Sequence, residues 1–592
     1  MPSLLSRLPL SDLRSVRPQT ILRDLSAAAS VTVLGIPQGI AYAMIAGLPP
    51  AMGLYASIAP TAVGALFRSS RHVITGPTNA LSLLVGGAVA ATSGDPATVA
   101  LTLALLVGVL QTVAGLLRLG TVVDYISSPV VLGYITGAGV LIGAGQLHHI
   151  TLTEGRGGTL FEALAGWLGA LPGGVHVPSI AMALSTIGVI LLVRRLRRGW
   201  PDAIIAMALA IAATLLLDLR DRGLRTIADV APIPAGLPPL TIPDLSMVTE
   251  LLPVAAACTV LSLVESSAVA RSIASRTGQR IDASAEFAGQ GLANIAASFF
   301  GGYPTSGSLS RSALNERAGA QSRLAGVFSG LLTILVLMLI GPLLNHTPIA
   351  SLAGLLVVVA ADLVKIPRIR KVMRTRRADQ VAFLVTVFGT WLLDLDKAIY
   401  LGVGISLVLF LQKARLLVVR EMAFGPRGSL QDMQLGRIPP SFRSCQKLRI
   451  LHVEGALFFG SAGELRDTLE QAASQSGVEV VLIRLKRTQG LDVTTIEALE
   501  SVSTTMQSRG QRLVIAGIRP EPMTRIARSG ALAVLGEENI YPTRPRWFQS
   551  MNEAIVNIAS DICPCASDCP LDSYLEAVAE RAAAQDAGDQ PA

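Results

Sequence analysis

Runs of about twenty apolar residues recur along this chain from Ala27 to Lys413, interrupted only by short polar connections. A run of that length, wound as a helix, crosses a bilayer core of roughly 30 Å. Because backbone polar groups in lipid must be satisfied internally, such runs fold as helices. The charged fraction is 15% of the 592 residues, well below the roughly one quarter usual for soluble domains. The reading is an α-helical polytopic membrane protein.

The 27–413 region has room for about fourteen spans. The first is expected near 27–47, the third near 75–92, the eighth near 251–270, the tenth near 307–319 and the last near 398–413. With the N-terminal segment 1–26 cytoplasmic, the connections on that side carry nineteen Lys and Arg, seven of them between Lys365 and Arg377, against five on the other. That asymmetry fits the positive-inside rule and places both termini in the cytoplasm. It also accounts for the net charge of +8 without a nucleic-acid partner. The segment 1–26 lacks the apolar core and small-residue cleavage site of a signal peptide, so the expected location is the inner (plasma) membrane.

Helix breaks suggest an internal repeat. Gly76-Pro77 opens span three, and Pro304-Thr305-Ser306-Gly307 opens span ten, about 230 residues later; spans one and eight start at a similar offset. Two copies of seven spans have opposite orientations, the inverted-repeat plan of secondary transporters.

Composition changes beyond 413. A linker is expected over 414–440, a small α/β domain over 441–560 and a Cys-containing polar tail over 561–592. Strands are read at Leu448–Glu454, Val478–Leu485 and Gln511–Ala516, with amphipathic helices between them, a pattern that indicates an α/β domain packed by right-handed crossovers. Cys563, Cys565 and Cys569 offer three thiols without an evident fourth ligand, whereas a closed zinc site uses four; no metal is assigned and reduced thiols are expected.

The breaks carry the informative chemistry. Gln38 and Tyr42 are four apart in Pro37–Pro50 and share one helix face. Thr78 and Asn79 open span three; Ser308, Ser310 and Arg311 open span ten. A helix beginning inside the membrane leaves its first N–H groups without partners, and with the macrodipole these favour an anion. Arg311 adds a cation whose presence at the helix centre costs roughly 2.5–3.5 kcal/mol on insertion scales. A kink without function, packing roles for Gln38 and Tyr42, and a snorkelling Arg311 are the plain alternatives. Glu265, read as the one carboxylate well inside an apolar run, is open to pairing with Arg311, to protonation, or to a share in cation binding.

These stretches, Pro37–Pro50, Thr75–Ser82 and Ser298–Asn315, resemble the SulP sulfate permease family, bacterial relatives of the mammalian anion exchangers and prestin. The tail resembles the STAS domain that follows the membrane part in that family. The resemblance implies fourteen spans in two inverted seven-span repeats, a core domain moving against a gate domain, and a homodimer. It places an anion near Thr78, Ser310 and Arg311, lined by Gln38 and Tyr42. It also sets Glu265 at an acidic position that helps form a sodium site in some bicarbonate-carrying members, which have Asp where this chain has Glu. In the STAS-like part Leu491–Ile496 resembles the phosphorylated Asp-Ser-Ser-Gly loop of anti-sigma-factor antagonists, with Thr494 and Thr495 for Ser and Ile496 for Gly; a Thr-capped helix start is the plainer reading.

The expected function is secondary active transport of a small inorganic anion, sulfate first, by alternating access, with no cofactor beyond a coupling proton or sodium ion. Bicarbonate, dicarboxylate and chloride are alternatives within transport. From another class, the chain would be an anion sensor or scaffold whose STAS part recruits a cytoplasmic partner. No Walker motif and no nucleophile–base pair marks an ATP-driven pump or an enzyme.

Overall fold

A computed structural model of the chain describes residues 18–120, 126–153, 159–197, 200–435, 437–546, 548–562 and 569–588. Its contacts divide into two units, Met1–Leu407 and Val408–Ala592.

The first unit is helical. Among the described residues nine helices are long and apolar enough to cross a bilayer: Pro18–Ile45, Pro50–Phe67, Pro96–Leu116, Ser128–Thr151, Val177–Leu196, Leu245–Thr277, Leu324–Leu344, Ile349–Val372 and Leu395–Lys413. The other expected spans coincide with shorter helices, Asn79–Ala91, Asp202–Leu216, Ala283–Phe299, Leu309–Arg317 and Arg377–Leu392. One helix falls where the sequence reading had only a connection, Leu160–Ala170, started by a capping box in which Thr159 and Glu162 satisfy each other's backbone N–H.

Eight helices and two short strands build the region around the breaks. They are α1 (Pro18–Ile45), α2 (Pro50–Tyr55), α3 (Ala59–Phe67), β1 (Thr75–Gly76), α4 (Asn79–Ala91), α5 (Pro96–Leu116) and, much later, α6 (Val248–Thr277), α7 (Ala283–Phe299), β2 (Ser306–Gly307) and α8 (Leu309–Arg317). Close helix approach in lipid depends on small residues, because burial of apolar surface does not drive association there. The α5–α7 contact is the clearest case. A Cβ on Gly108 would lie 2.6 Å from the Ile295 nitrogen, and one on Gly291 would lie 2.4 Å from the Thr112 nitrogen. No side chain larger than hydrogen fits at either position. This contact holds α7 in place, and α7 in turn carries a stripe of buried polar residues at every fourth position, Glu286, Gln290, Asn294 and Ser298.

The second unit is an α/β sandwich. Its six strands are β3 (Val418–Gly425), β4 (Ser429–Gln434), β5 (Leu448–Ala456), β6 (Val480–Gln489), β7 (Arg512–Ile518) and β8 (Ile540–Pro542), in the order β4-β3-β5-β6-β7-β8. Strands β5 to β8 run parallel, and β3 is antiparallel to both neighbours. One face packs on helices α9 (Phe459–Ala473), α10 (Val493–Gln507) and α11 (Pro520–Ser529) through Leu451, Ile483, Leu465 and Leu499; the other packs on α12 (Gln549–Ile562) and α13 (Pro570–Gly588) through Ile450, Leu482, Ile555 and Leu571. The stretch 414–440, expected as a linker, instead contributes the β3–β4 hairpin. Its turn places Arg427 and Gly428 at φ +56° and +62°.

Candidate functional site

The two breaks meet. β1 and β2 pair antiparallel, Thr75 opposite Gly307 and Gly76 opposite Ser306, and the Ser308 N–H donates to the Ile74 carbonyl at 2.9 Å. Pro77 cannot donate to a ladder, so β1 stops there. Thr78 and Ser308, both in extended conformation, then become the N-caps of α4 and α8. Two helix N-termini therefore begin within two residues of one small ladder. The Ser308 hydroxyl accepts from the Arg311 N–H at 3.5 Å, while the Thr78 hydroxyl makes no cap bond.

Arg311 lies in the first turn of α8 with only 2% of its surface exposed. Its Nη1 donates to the Ser57 hydroxyl at 3.0 Å, Nη2 to the Gly35 carbonyl at 3.4 Å and Nε to Gln38 Oε1 at 3.5 Å. All three partners are neutral. Among the described residues it forms no ion pair with a carboxylate. Room for the guanidinium comes from glycine: a Cβ on Gly76 would sit 2.4 Å from Nη1, whereas one on Gly35 would sit 3.7 Å from Cζ. A buried cation usually pairs with a carboxylate. This one is held by long bonds to neutral groups beside two helix N-termini, an arrangement that favours a small anion.

Glu265 takes a different partner. Its Oε2 accepts from the Thr78 hydroxyl at 3.0 Å, so the carboxylate reaches the start of α4 rather than Arg311. Its neighbours on α6 are also committed. Ser262 donates to the Thr305 carbonyl at 3.0 Å, and Ser266 accepts from Arg68. Of the remaining candidates, Gln38 is half-buried and bonded to Arg311. Asn79 is half-buried and accepts from the Ala80 N–H at 2.8 Å. Tyr42 is buried and makes no side-chain hydrogen bond among the described residues. Ser310 is exposed, with its hydroxyl 3.4 Å from that of Ser308.

The reading of Glu265 as the one carboxylate inside an apolar run needs correction. Glu286 and Asp24 are 1% and 0% exposed, and both are consumed by structure. Asp24, expected in a cytoplasmic lead segment, lies in α1 and accepts from the Gln321 and Ser322 N–H groups at 2.7 and 3.2 Å. Glu286 faces Arg68, Oε2 to Nε 3.6 Å. Arg68, counted among the loop cations, is itself 1% exposed and donates through Nη2 to Ser266 and Gln290. The network continues from Gln290 Nε2 to the Thr305 carbonyl at 2.8 Å, and Asn294 Oδ1 accepts both the Thr305 N–H and hydroxyl at 2.7 Å. Thr305 immediately precedes β2, so one buried network fixes the approach to both breaks. The polar stripe at 286, 290 and 294 was the available signal.

In the second unit Thr495 is buried and Thr494 exposed. The helix cap is Asp492, which accepts from the Thr495 N–H at 2.9 Å and its hydroxyl at 2.7 Å. Partial burial opposes ionisation of Asp492, but these bonds and one from the Phe459 N–H hold its carboxyl below the usual range. The expected Thr cap is thus an Asp cap, with Thr495 locked beneath it. Cys563 and Cys565 lie outside the described residues; Cys569 is half-buried against the core that contains Cys445.

The comparisons with known proteins agree with this architecture. The pattern of the sulfate permease family matches residues 21–386, and that of the STAS domain matches residues 440–546. A probable sulfate transporter of Mycobacterium tuberculosis is 30% identical over 535 residues, spanning 89% of this chain and 94% of the relative. Human solute carrier family 26 member 6 is 30% identical over 494 residues, spanning 78% of this chain and 63% of that one. Among solved structures, the murine solute carrier 26 family member A9 anion transporter in the inward-facing state superposes with a TM-score of 0.83 at 20% identity, over 94% of each chain.

Proposed function

The chain belongs to the sulfate permease family, a family of permeases and not of enzymes, and we propose that it carries a small inorganic anion across the membrane as a secondary active transporter. The observation that carries this reading is Arg311: a guanidinium 2% exposed, without a carboxylate partner among the described residues, at the paired starts of two half-helices. Burying an unpaired charge is costly, and an anion that arrives with its own charge offsets that cost. We assign the anion to Arg311 and the starts of α4 and α8, with Thr78, Asn79, Ser308 and Ser310 offering N–H and hydroxyl donors and Gln38 and Tyr42 lining the approach. Sulfate is the first choice, supported by the relatives' names; bicarbonate, dicarboxylate and chloride are the competitors.

Glu265 is assigned as the coupling residue. Its hydrogen bond with Thr78 ties its protonation to the same helix start that would meet the anion. A proton is preferred to sodium, since Ser262 and Ser266 already hold other partners. The transport unit is assigned to 27–413, in a plasma membrane with both termini cytoplasmic, and the assembly to a homodimer whose STAS domain is the place for a cytoplasmic partner. Alternating access is the mechanism that suits a site made of broken helices.

The deciding experiment is radiotracer uptake into proteoliposomes with sulfate, bicarbonate, fumarate and chloride under imposed proton or sodium gradients. Saturable, anion-selective flux that falls in Arg311→Ala supports transport. Correctly folded protein with no anion-dependent flux would leave the scaffold reading standing.

A further inference from the structure

Between helix Asp202–Leu216 and α6, residues 232–244 form a ribbon with neither helix nor strand, yet tied down at both ends. At the first, the Ile233 N–H donates to Asn345 Oδ1 at 2.7 Å, and Asn345 Nδ2 donates to the Ile233 carbonyl at 3.1 Å. At the second, the Thr241 N–H and hydroxyl donate to the Phe299 and Ser298 carbonyls at 3.0 and 2.8 Å, and the Asp244 N–H donates to Thr102 Oγ1 at 3.1 Å. A 3-10 turn, Leu245–Met247, then leads directly into α6.

The ribbon turns its large apolar side chains outward. Thr241 is half-buried and Pro243 buried, whereas Leu237, Leu240, Ile242 and Leu245 are exposed, from 66% at Leu245 to 91% at Ile242. Clustered apolar side chains left bare on a surface mark an interaction site. The exposed strip continues onto the helices it is tied to. Phe299 and Phe300 are exposed where α7 ends, and Leu252, two turns beyond Leu245 on the same side of a helix apolar enough to cross a bilayer, is exposed as well. The backbone suits the same surroundings. Pro232, Pro234, Pro238, Pro239 and Pro243 have no N–H, and those of Ile233, Thr241 and Asp244 are bonded. Eight of the thirteen ribbon residues therefore present no free N–H, the group that lipid leaves unsatisfied at a cost.

We propose that residues 237–245 lie at the boundary between headgroups and acyl chains, and that phospholipid covers this face. Leu237, Leu240, Ile242 and Leu245 enter the upper acyl chains, and Asp244 stays at headgroup level, as in other elements that lie in the membrane plane. The leaflet, the outer one, rests on the orientation assigned above. A second copy of the chain fits less well. At roughly 60–120 Å² for each aliphatic side chain, four of them fall short of the ~800 Å² per partner that a stable protein interface buries. Seated in lipid, the ribbon would hold the ends of α5, α7 and, through Asn345, helix Leu324–Leu344 at one depth.

The test puts the photoreactive residue p-benzoylphenylalanine in place of Ile242, in full-length protein reconstituted with radiolabelled phosphatidylcholine. Leu339, exposed on helix Leu324–Leu344, is the lipid control, and Asp467, exposed on α9, is the water control. On illumination, position 242 should label lipid several-fold more than position 467 and approach position 339. An adduct between two protein chains in preference to lipid would give the face to a second copy, and lipid labelling no higher than at 467 would leave it in water; either overturns the proposal. Should the bulky group disturb the fold, Ile242→Trp gives a second reading. The fluorescence it adds to the four native tryptophans should be quenched by phosphatidylcholine brominated near the headgroup more than by aqueous iodide, and the reverse order would overturn the proposal. Labelling at 339 without labelling at 242 defeats this inference alone; no lipid labelling at 339 would defeat the membrane reading of the whole unit.

Discussion

Gly76→Ala tests whether the position of the Arg311 guanidinium, and not merely its charge, sets anion affinity. The backbone at Gly76 is not in the left-handed region, so alanine is tolerated there and only its methyl matters. That methyl would sit 2.4 Å from Arg311 Nη1, about 1 Å inside ordinary van der Waals contact at ~3.5 Å. The obstacle is the tip of a flexible side chain, so the chain should fold and the guanidinium should yield. Yielding means leaving Ser57, which Nη1 meets at 3.0 Å, and leaving the orientation toward the starts of α4 and α8. Hydrogen bonds to a charged group contribute about 1.5–3 kcal/mol, so restoring the productive position on binding should raise Kd about 10–150-fold. Gly35→Ala is the control: its methyl would lie 3.7 Å from the same guanidinium, an ordinary contact, and affinity should hold. Calorimetric titration of sulfate, or of whichever anion the flux panel selects, into both variants at matched melting temperature reads the result. Equal affinities in Gly76→Ala and Gly35→Ala would show that Arg311 does not need this position, and the site would have to be sought elsewhere.

Arg311→Ala should weaken anion binding more than Ser310→Ala, because a charge-assisted bond is about twice a neutral one and Ser310 is exposed; Arg311→Lys should recover part of the loss, read by the same calorimetry. In Glu265→Gln, counterflow at equal anion concentrations should survive while gradient-driven accumulation is lost; accumulation that persists would remove Glu265 from coupling. Deleting residues beyond about 420 should reduce trafficking, stability or rate yet leave the rank order of anions unchanged in reconstituted protein, and a reordered series would give the tail a share in the site. His452 is 1% exposed and burial holds its pKa below the usual histidine range, although Asp432 3.0 Å away works against this. The folded form thus takes its proton later than the unfolded form. Its contribution to stability is full above the unfolded pKa and is lost as pH falls through the folded one. Amide protection factors in β5, corrected for the intrinsic pH dependence of exchange, should fall on acidification below about pH 6.5, and less so in His452→Gln.

The parts of this protein legible in sequence are those carried by local pattern. Apolar length marked the helices, and Gly-Pro and Pro-Thr-Ser-Gly marked the breaks, so Thr78, Ser308 and Arg311 could be picked out before their contacts were known. What the pattern missed comes from tertiary packing. Ser57 and Gly35 sit in otherwise featureless apolar runs, and only the folding of α1 and α2 around α8 brings them to the guanidinium. Arg68 reads as an ordinary loop cation next to Arg71; its burial depends on Glu286 arriving from more than two hundred residues away. The β3–β4 hairpin was missed because charged residues interrupt its alternation, although Gly425-Pro426-Arg427-Gly428 is a turn signal.

The β1–β2 ladder also sets a timetable for biosynthesis. Gly76 leaves the ribosome 230 residues ahead of Ser306, its partner across the ladder. At roughly 5–20 residues per second the first break must wait about 10–50 s for the second. During that interval the edge of β1 has no strand to bond, in a setting where unpaired backbone groups are costly, and Arg68 has neither Ser266 nor Glu286. The first half of the membrane unit must therefore shelter an unfinished cradle, in surrounding water or against the insertion machinery, until α7 and β2 close it. A nascent chain halted between 76 and 306 should leave β1 open to amide exchange that the finished protein suppresses.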